Sequence, residues 1–142
     1  DAESYRPVTE PLLHDDRVRS AVFSPDGKYI LTISDDHVAR VWSAQMNNSP
    51  LEILLNISGA YSAIYSPDGK YIITTSKDKK INIFDAFTGR AVAEPFGYGN
   101  CAVVACSPDG KNIVATSSEN SACVWNVGAQ QRGLRHNEKV NK

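Results

Sequence analysis

Ser66-Pro67-Asp68-Gly69-Lys70 decides how this chain is read, because the same pentapeptide stands at Ser24-Pro25-Asp26-Gly27-Lys28 and again at Ser107-Pro108-Asp109-Gly110-Lys111. The starts lie 42 and then 41 residues apart. A fixed period of this size sets the architecture before any local reading begins. The pentapeptide itself has the chemistry of a tight turn. Proline presets φ, Asp bonds its own backbone, and Gly takes the left-handed conformation without steric cost. Runs of β-formers flank each copy, so each turn is expected to join two antiparallel strands.

Working outward, the first full repeat is expected to hold strands over Val18 to Phe23, Tyr29 to Ile33, Val38 to Trp42 and Leu51 to Leu55. The second uses Ser62 to Tyr65, Tyr71 to Thr75, Ile81 to Phe84 and Ala91 to Phe96, and the third Ala102 to Cys106, Asn112 to Thr116 and Ala122 to Trp125. Strands spaced by turns every 8–12 residues indicate an all-β chain of three four-stranded antiparallel units. The units divide at residues 14–55, 56–96 and 97–135.

Both ends read as pieces of further repeats. Asp1-Ala2, Arg6, Val8 and Glu10-Pro11 match Asp85-Ala86, Arg90, Val92 and Glu94-Pro95 at twice the period, so residues 1–13 are expected to be the outer strand of a preceding unit. Leu134-Arg135-His136 and Val140 repeat the spacing of Leu12-Leu13-His14 and Val18, placing residues 136–142 at the start of a fourth repeat or in a tail. A segment of a longer array has this form.

Composition narrows the function classes. The 142 residues are 42% hydrophobic and 22% charged with a net charge of −1, which suits a globular chain and gives no electrostatic reason to expect nucleic acid. No run of about 18 apolar residues is present for a membrane span. Cys101, Cys106 and Cys123 have no C-x-x-C spacing, so reduced thiols in a strand-rich core, and with them a cytoplasmic setting, are expected. The sequence holds no Gly-rich phosphate loop, Gly-x-Ser-x-Gly elbow or Cys/His metal spacing, so no cofactor, metal or catalytic residue is expected.

With its period, its Ser-x-Asp-like turns and its third-strand aromatics Trp42, Phe84 and Trp125, the chain resembles the WD-repeat β-propeller family. That resemblance implies blades of a ring, with three blades leaving the ring incomplete unless the chain oligomerises or is longer. It also implies a hydrogen-bonded set pinning each blade. The first repeat matches at His14, Ser34, Asp36 and Trp42, the second at Ser76 and Asp78, and the third at Ser117 and Trp125. Phe84 replaces the tryptophan in the second repeat, and Glu119 replaces the Asp in the third.

Family members commonly meet partners through loops at one end of the ring. Carried over, those positions are Arg17, Arg19 and Asp35, then Gly59, Tyr61 and Lys77, then Asn100, Ala102 and Ser118, with Tyr98 nearby. The implied function is a non-enzymatic scaffold for a protein or peptide, of the kind found in signalling proteins. Two alternatives stand beside it. One is an envelope propeller of the TolB-like or hydrolase type, which also uses Ser-Pro-Asp-Gly turns. The other is a self-assembling segment, a homodimer of which closes a six-blade ring.

Overall fold

The computed structural model describes residues 10–45, 53–56, 59–97, 101–117, 120–127 and 138–140. The three repeats fold as three antiparallel sheets. Blade 1 comprises β1 (Val18–Phe23), β2 (Tyr29–Ser34), β3 (Val38–Ser43) and β4 (Ile53–Asn56), in that spatial order. Blade 2 holds β5 (Ala60–Tyr65), β6 (Tyr71–Ser76) and β7 (Ile81–Asp85). Blade 3 holds β8 (Cys101–Cys106), β9 (Asn112–Ser117), β10 (Ser121–Asn126) and β11 (Glu138–Val140).

The pentapeptide turns are copies of one another at the atomic level. In each, the glycine N–H donates to the serine carbonyl at 2.8–2.9 Å. The serine Oγ donates to Asp Oδ1 at 2.6 Å in all three turns. The same carboxylate oxygen accepts the following lysine N–H at 2.9–3.0 Å. Gly27, Gly69 and Gly110 have φ of 71°, 73° and 72°, the region where a Cβ is strained. A further bond ties each turn to the end of its third strand: Ala44, Ala86 and Val127 donate to the carbonyls of Lys28, Lys70 and Lys111.

β5 packs against β1 and β2, and β8 packs against β5 and β6, so successive blades stack face to face. Leu31, Ile33, Ala39 and Val41 of blade 1 meet Ala60, Ala63, Ile72 and Phe84 of blade 2. Ile73, Ile81 and Ile83 on the other face of blade 2 meet Val104, Ile113, Cys123 and Trp125 of blade 3. Both faces of the middle blade are therefore covered. This is why β6 is buried almost throughout, while β1 alternates between exposed and half-buried positions.

The structure departs from the sequence reading along the outer edges. Glu10 to Leu13 carry no strand, and residues 1–9 of that expected outer strand lie outside the described residues. The Ala91 to Phe96 segment pairs with β7 only through the bridges Phe84↔Ala91 and Ile81↔Phe96. Pro95 has no N–H to add to a ladder there. Glu138–Val140, assigned from sequence to a fourth repeat or tail, instead pair with β10, Ala122 opposite Val140. Ala39↔Leu55 and Ile81↔Phe96 are the corresponding pairs of the other blades. An unpaired outer edge of β10 would leave backbone donors and acceptors unused, and β11 takes them up.

Candidate functional site

Blade 1 is pinned by a buried polar chain. The Trp42 indole donates to Thr32 Oγ1 at 2.8 Å, and the same oxygen lies 2.9 Å from His14 Nε2. His14 Nδ1 is 2.8 Å from Arg40 Nη1, which also donates to Asp36 Oδ2 at 2.5 Å. A guanidinium only donates, so Nδ1 accepts and Nε2 carries the imidazole proton. Thr32 thus accepts from Trp42 and His14, and donates its own proton to the Arg40 carbonyl at 3.4 Å. His14 also stands edge-on to Trp42, with ring centroids 5.5 Å apart.

The bonds within the implied set of His14, Ser34, Asp36 and Trp42 run through two further residues, Thr32 and Arg40. The indole's acceptor is Thr32 rather than Ser34, and Asp36 reaches His14 through Arg40, the direct Nδ1 to Oδ2 separation being 4.0 Å. The Ser34 hydroxyl instead donates to the Asp16 carbonyl and accepts from the Asp36 N–H, tying the entry loop to the turn after β2. Burial pulls the Asp36 carboxyl up, but Arg40 and the amides of Val38 and Asp15 outweigh it and hold it below the usual carboxylate range.

The chain is not reproduced in blade 2. Thr74, the counterpart of Thr32, is fully buried and its hydroxyl has no hydrogen-bond partner, because Phe84 brings no N–H. Ser76 donates to the Asp78 carboxylate and accepts from Asn82 Nδ2, whereas Ser34 in blade 1 donates to the Asp16 carbonyl. In blade 3, Ala115 occupies the Thr32 place and Trp125 packs against Phe96 with centroids 5.7 Å apart. The side chain of Ser117 lies outside the described residues.

At the same end of the arc, the loop residues of blades 1 and 2 come together. The Asp35 N–H donates to the Arg17 carbonyl at 2.9 Å, and one period later Lys77 donates to Gly59 at the same distance. Arg19 donates to the Asp35 carboxylate, which holds that carboxyl below its usual range and raises the guanidinium. The charges of Arg17 in blade 1 and Lys77 in blade 2 add to the lowering of the Asp35 carboxyl. A Cβ on Gly59 would lie 2.8 Å from Lys77 Cδ, so the glycine makes room for the lysine stem. Arg17, Arg19, Tyr61 and Lys77 are all exposed. Tyr98, Asn100 and Ser118 lie outside the described residues, as does the side chain of Ala102.

Thr32 and Arg40 were missed by sequence reasoning. A signal for the first was available: Thr32 and Thr74 recur ten residues before Trp42 and Phe84. Arg40 gave none, since arginine ordinarily marks a solvent-facing position.

The arc ends on two uncovered faces. Val18, Ala21, Phe23 and Ile30 occupy in blade 1 the places of Ala60, Ala63, Tyr65 and Ile72 in blade 2. Val18 is 44% exposed against 7% for Ala60, and Phe23 is 66% exposed where Tyr65 is half-buried against the core. On blade 3, Val114 stands 37% exposed at the place of the buried Ile73.

Stacked antiparallel sheets of one period, the first pinned by a Trp–Thr–His chain, with exposed loops at one end, define a propeller-type repeat fold. The family description "WD domain, G-beta repeat" matches residues 6–43, 55–85 and 95–126, most of the chain, and the chain belongs to the WD40 repeat family. WD40 repeats generally mediate protein–protein interaction and are typically non-enzymatic. A search of curated proteins finds no match to the chain.

Proposed function

We propose that this chain is a protein-interaction scaffold whose loop face, built from Arg17, Arg19, Asp35, Tyr61 and Lys77, receives a protein or peptide partner. The observation that carries this reading is the meeting of these side chains at one end of two adjacent blades, on backbone bonds that repeat at the 42-residue period. Arginine and tyrosine bring large contact area with a polar handle, which makes them common anchors at interfaces. His14 supports the scaffold reading over an acid–base or metal site, because both ring nitrogens are engaged inside the blade.

The test is partner binding by variants at the two ends of the arc. Arg17→Ala/Arg19→Ala/Tyr61→Ala is expected to weaken capture of a partner at least about tenfold. Lys111→Ala, in the turn at the opposite end, is expected to leave it unchanged. Equal loss in both would sink the loop-face reading.

A second interaction is favoured by the uncovered faces. In our reading a second copy covers them, the blade 3 face of each chain meeting the blade 1 face of the other. Two such junctions related by a twofold axis close six blades without leaving an apolar face in water.

A further inference from the structure

The hairpin turns of blades 1 and 2 meet at the end of the arc opposite the Arg17 to Lys77 loops. A Cβ on Gly69 would lie 3.6 Å from Pro25 Cδ, so the two turns are in contact. At this junction is a cleft of about 330 Å³ whose walls include Asp26, Asp68, Tyr29, Tyr65 and Phe87.

Two of these side chains hold groups that the fold leaves unused, although the Tyr65 ring itself packs against the core between blades 1 and 2. The Tyr65 hydroxyl is shielded from solvent and has no hydrogen-bond partner. Burial, with Asp26 adding to it, pushes that phenol up to about 12. Phe87 is 65% exposed in a turn held by bonds from its own and the Thr88 backbone N–H to Asp85, which any residue there would make. The next junction supplies the comparison. Gly110 approaches Pro67 in the same way, at 3.9 Å, and Tyr71 stands in the place of Tyr29. Yet Cys106 takes the Tyr65 place, and in the sequence Gly128 follows Val127 where Phe87 follows Ala86. What turn geometry needs is repeated; an aromatic recurs at the Tyr65 place as Phe23 of blade 1, but Gln45 and Gly128 take the Phe87 place and the third repeat has neither aromatic.

We propose that this cleft is a second binding site, taking an arginine side chain of a peptide partner. The turn bonds of Asp26 and Asp68 use Oδ1 of each carboxylate, and Oδ2 is left outside them. Lys28 and Lys70, the neighbouring cations, do not line the cleft. A planar guanidinium stacks on aromatic rings and pairs with carboxylates. The volume, at the small end for ligand sites, suits one inserted side chain. This site is independent of the loop face, which lies at the other end of β1.

The experiment is a titration of the 142-residue chain with N-acetyl-Gly-Arg-Gly-amide, following the backbone amide resonances of Gly69 and Ala86. Saturable shifts confined to this junction are expected. The citrulline analogue, of the same shape without the charge, is expected to bind at least about tenfold more weakly. Phe87→Gly, the residue that follows in the third repeat, is expected to weaken arginine binding about fivefold or more. Its exposure leaves the strands intact, which unchanged β1 and β6 resonances would verify. Asp109→Asn in the equivalent turn of blade 3 is expected to have no effect. Equal binding of the citrulline peptide, shifts spread over the surface, or full affinity in Phe87→Gly would overturn the proposal.

Discussion

Thr32 and Thr74 occupy the same place in successive blades, and opposite consequences follow from removing the same oxygen. In blade 1 the hydroxyl accepts from Trp42 and His14, so Thr32→Val leaves two buried donors unmet. A loss of about 2–4 kcal/mol is expected. In blade 2 the hydroxyl is buried and unpartnered, so Thr74→Val removes an uncompensated polar group and is expected to stabilise by about 1 kcal/mol. Urea denaturation of the two variants checks both signs, and equal destabilisation would contradict the assignment. Trp42, Asp36 and His14 were legible in the sequence because the period singles them out. Their hydroxyl partner was not, because Thr32 and Ser34 project from the same side of one strand. Register decides between them. Trp42 pairs with Ile30, so Thr32 is the diagonal neighbour, while Ser34 lies four residues along, roughly 13 Å away.

At the scale of elements, the Ser-Pro-Asp-Gly-Lys turn couples conformation to ionisation. The Asp26, Asp68 and Asp109 carboxyls lie below the ordinary 3.8, chiefly because Ser24, Ser66 and Ser107 donate to them, with the lysine amides adding to it. A folded-state pKa below the unfolded one means the unfolded chain binds more protons in acid. The contribution is therefore complete above the ordinary carboxylate value and is lost as pH falls through the lowered folded values. The urea midpoint is expected to be flat above about pH 5 and to fall below about pH 4, and Asp68→Asn to shallow that fall. A midpoint that drops equally in a triple Asp26→Asn/Asp68→Asn/Asp109→Asn variant would place the acid sensitivity elsewhere. Gly69→Ala forces a Cβ into φ of 73° and is expected to cost about 1–2 kcal/mol. These turns and the strands beside them were legible because alternation and turn chemistry act locally. The outer edges were less so: blade 2 pairs there at two bridges, and β11 is reached after a stretch whose length breaks the period. Pairing across such a connection depends on what the neighbouring strand leaves open, which a local pattern does not encode.

For the whole molecule, the decisive quantity is what covers Phe23 and Val114. In the middle blade the corresponding positions are packed on both sides, so a blade of this sequence type has no face designed for water. If a second copy supplies the cover, size-exclusion light scattering gives a sharp species at twice the 15.5 kDa chain mass. Phe23→Ser, at a position already exposed in the single chain, is then expected to shift that species toward monomer while leaving the blade 1–2 core and its thermal transition largely intact. Val114→Lys, on the opposite face of the arc, is expected to do the same, because each junction of a twofold ring uses one face of each kind. Combining one chain carrying Phe23→Ser with another carrying Val114→Lys separates this ring from a simple face-to-face pair. In the ring, that mixture keeps one junction between wild-type faces and concentrates both substitutions in the other, so the mixed dimer outlasts either variant alone. A face-to-face pair built on Phe23 alone would be insensitive to Val114→Lys. A wild-type monomer that binds apolar dye would show instead that the cover is not a second copy, and would move the search to further blades.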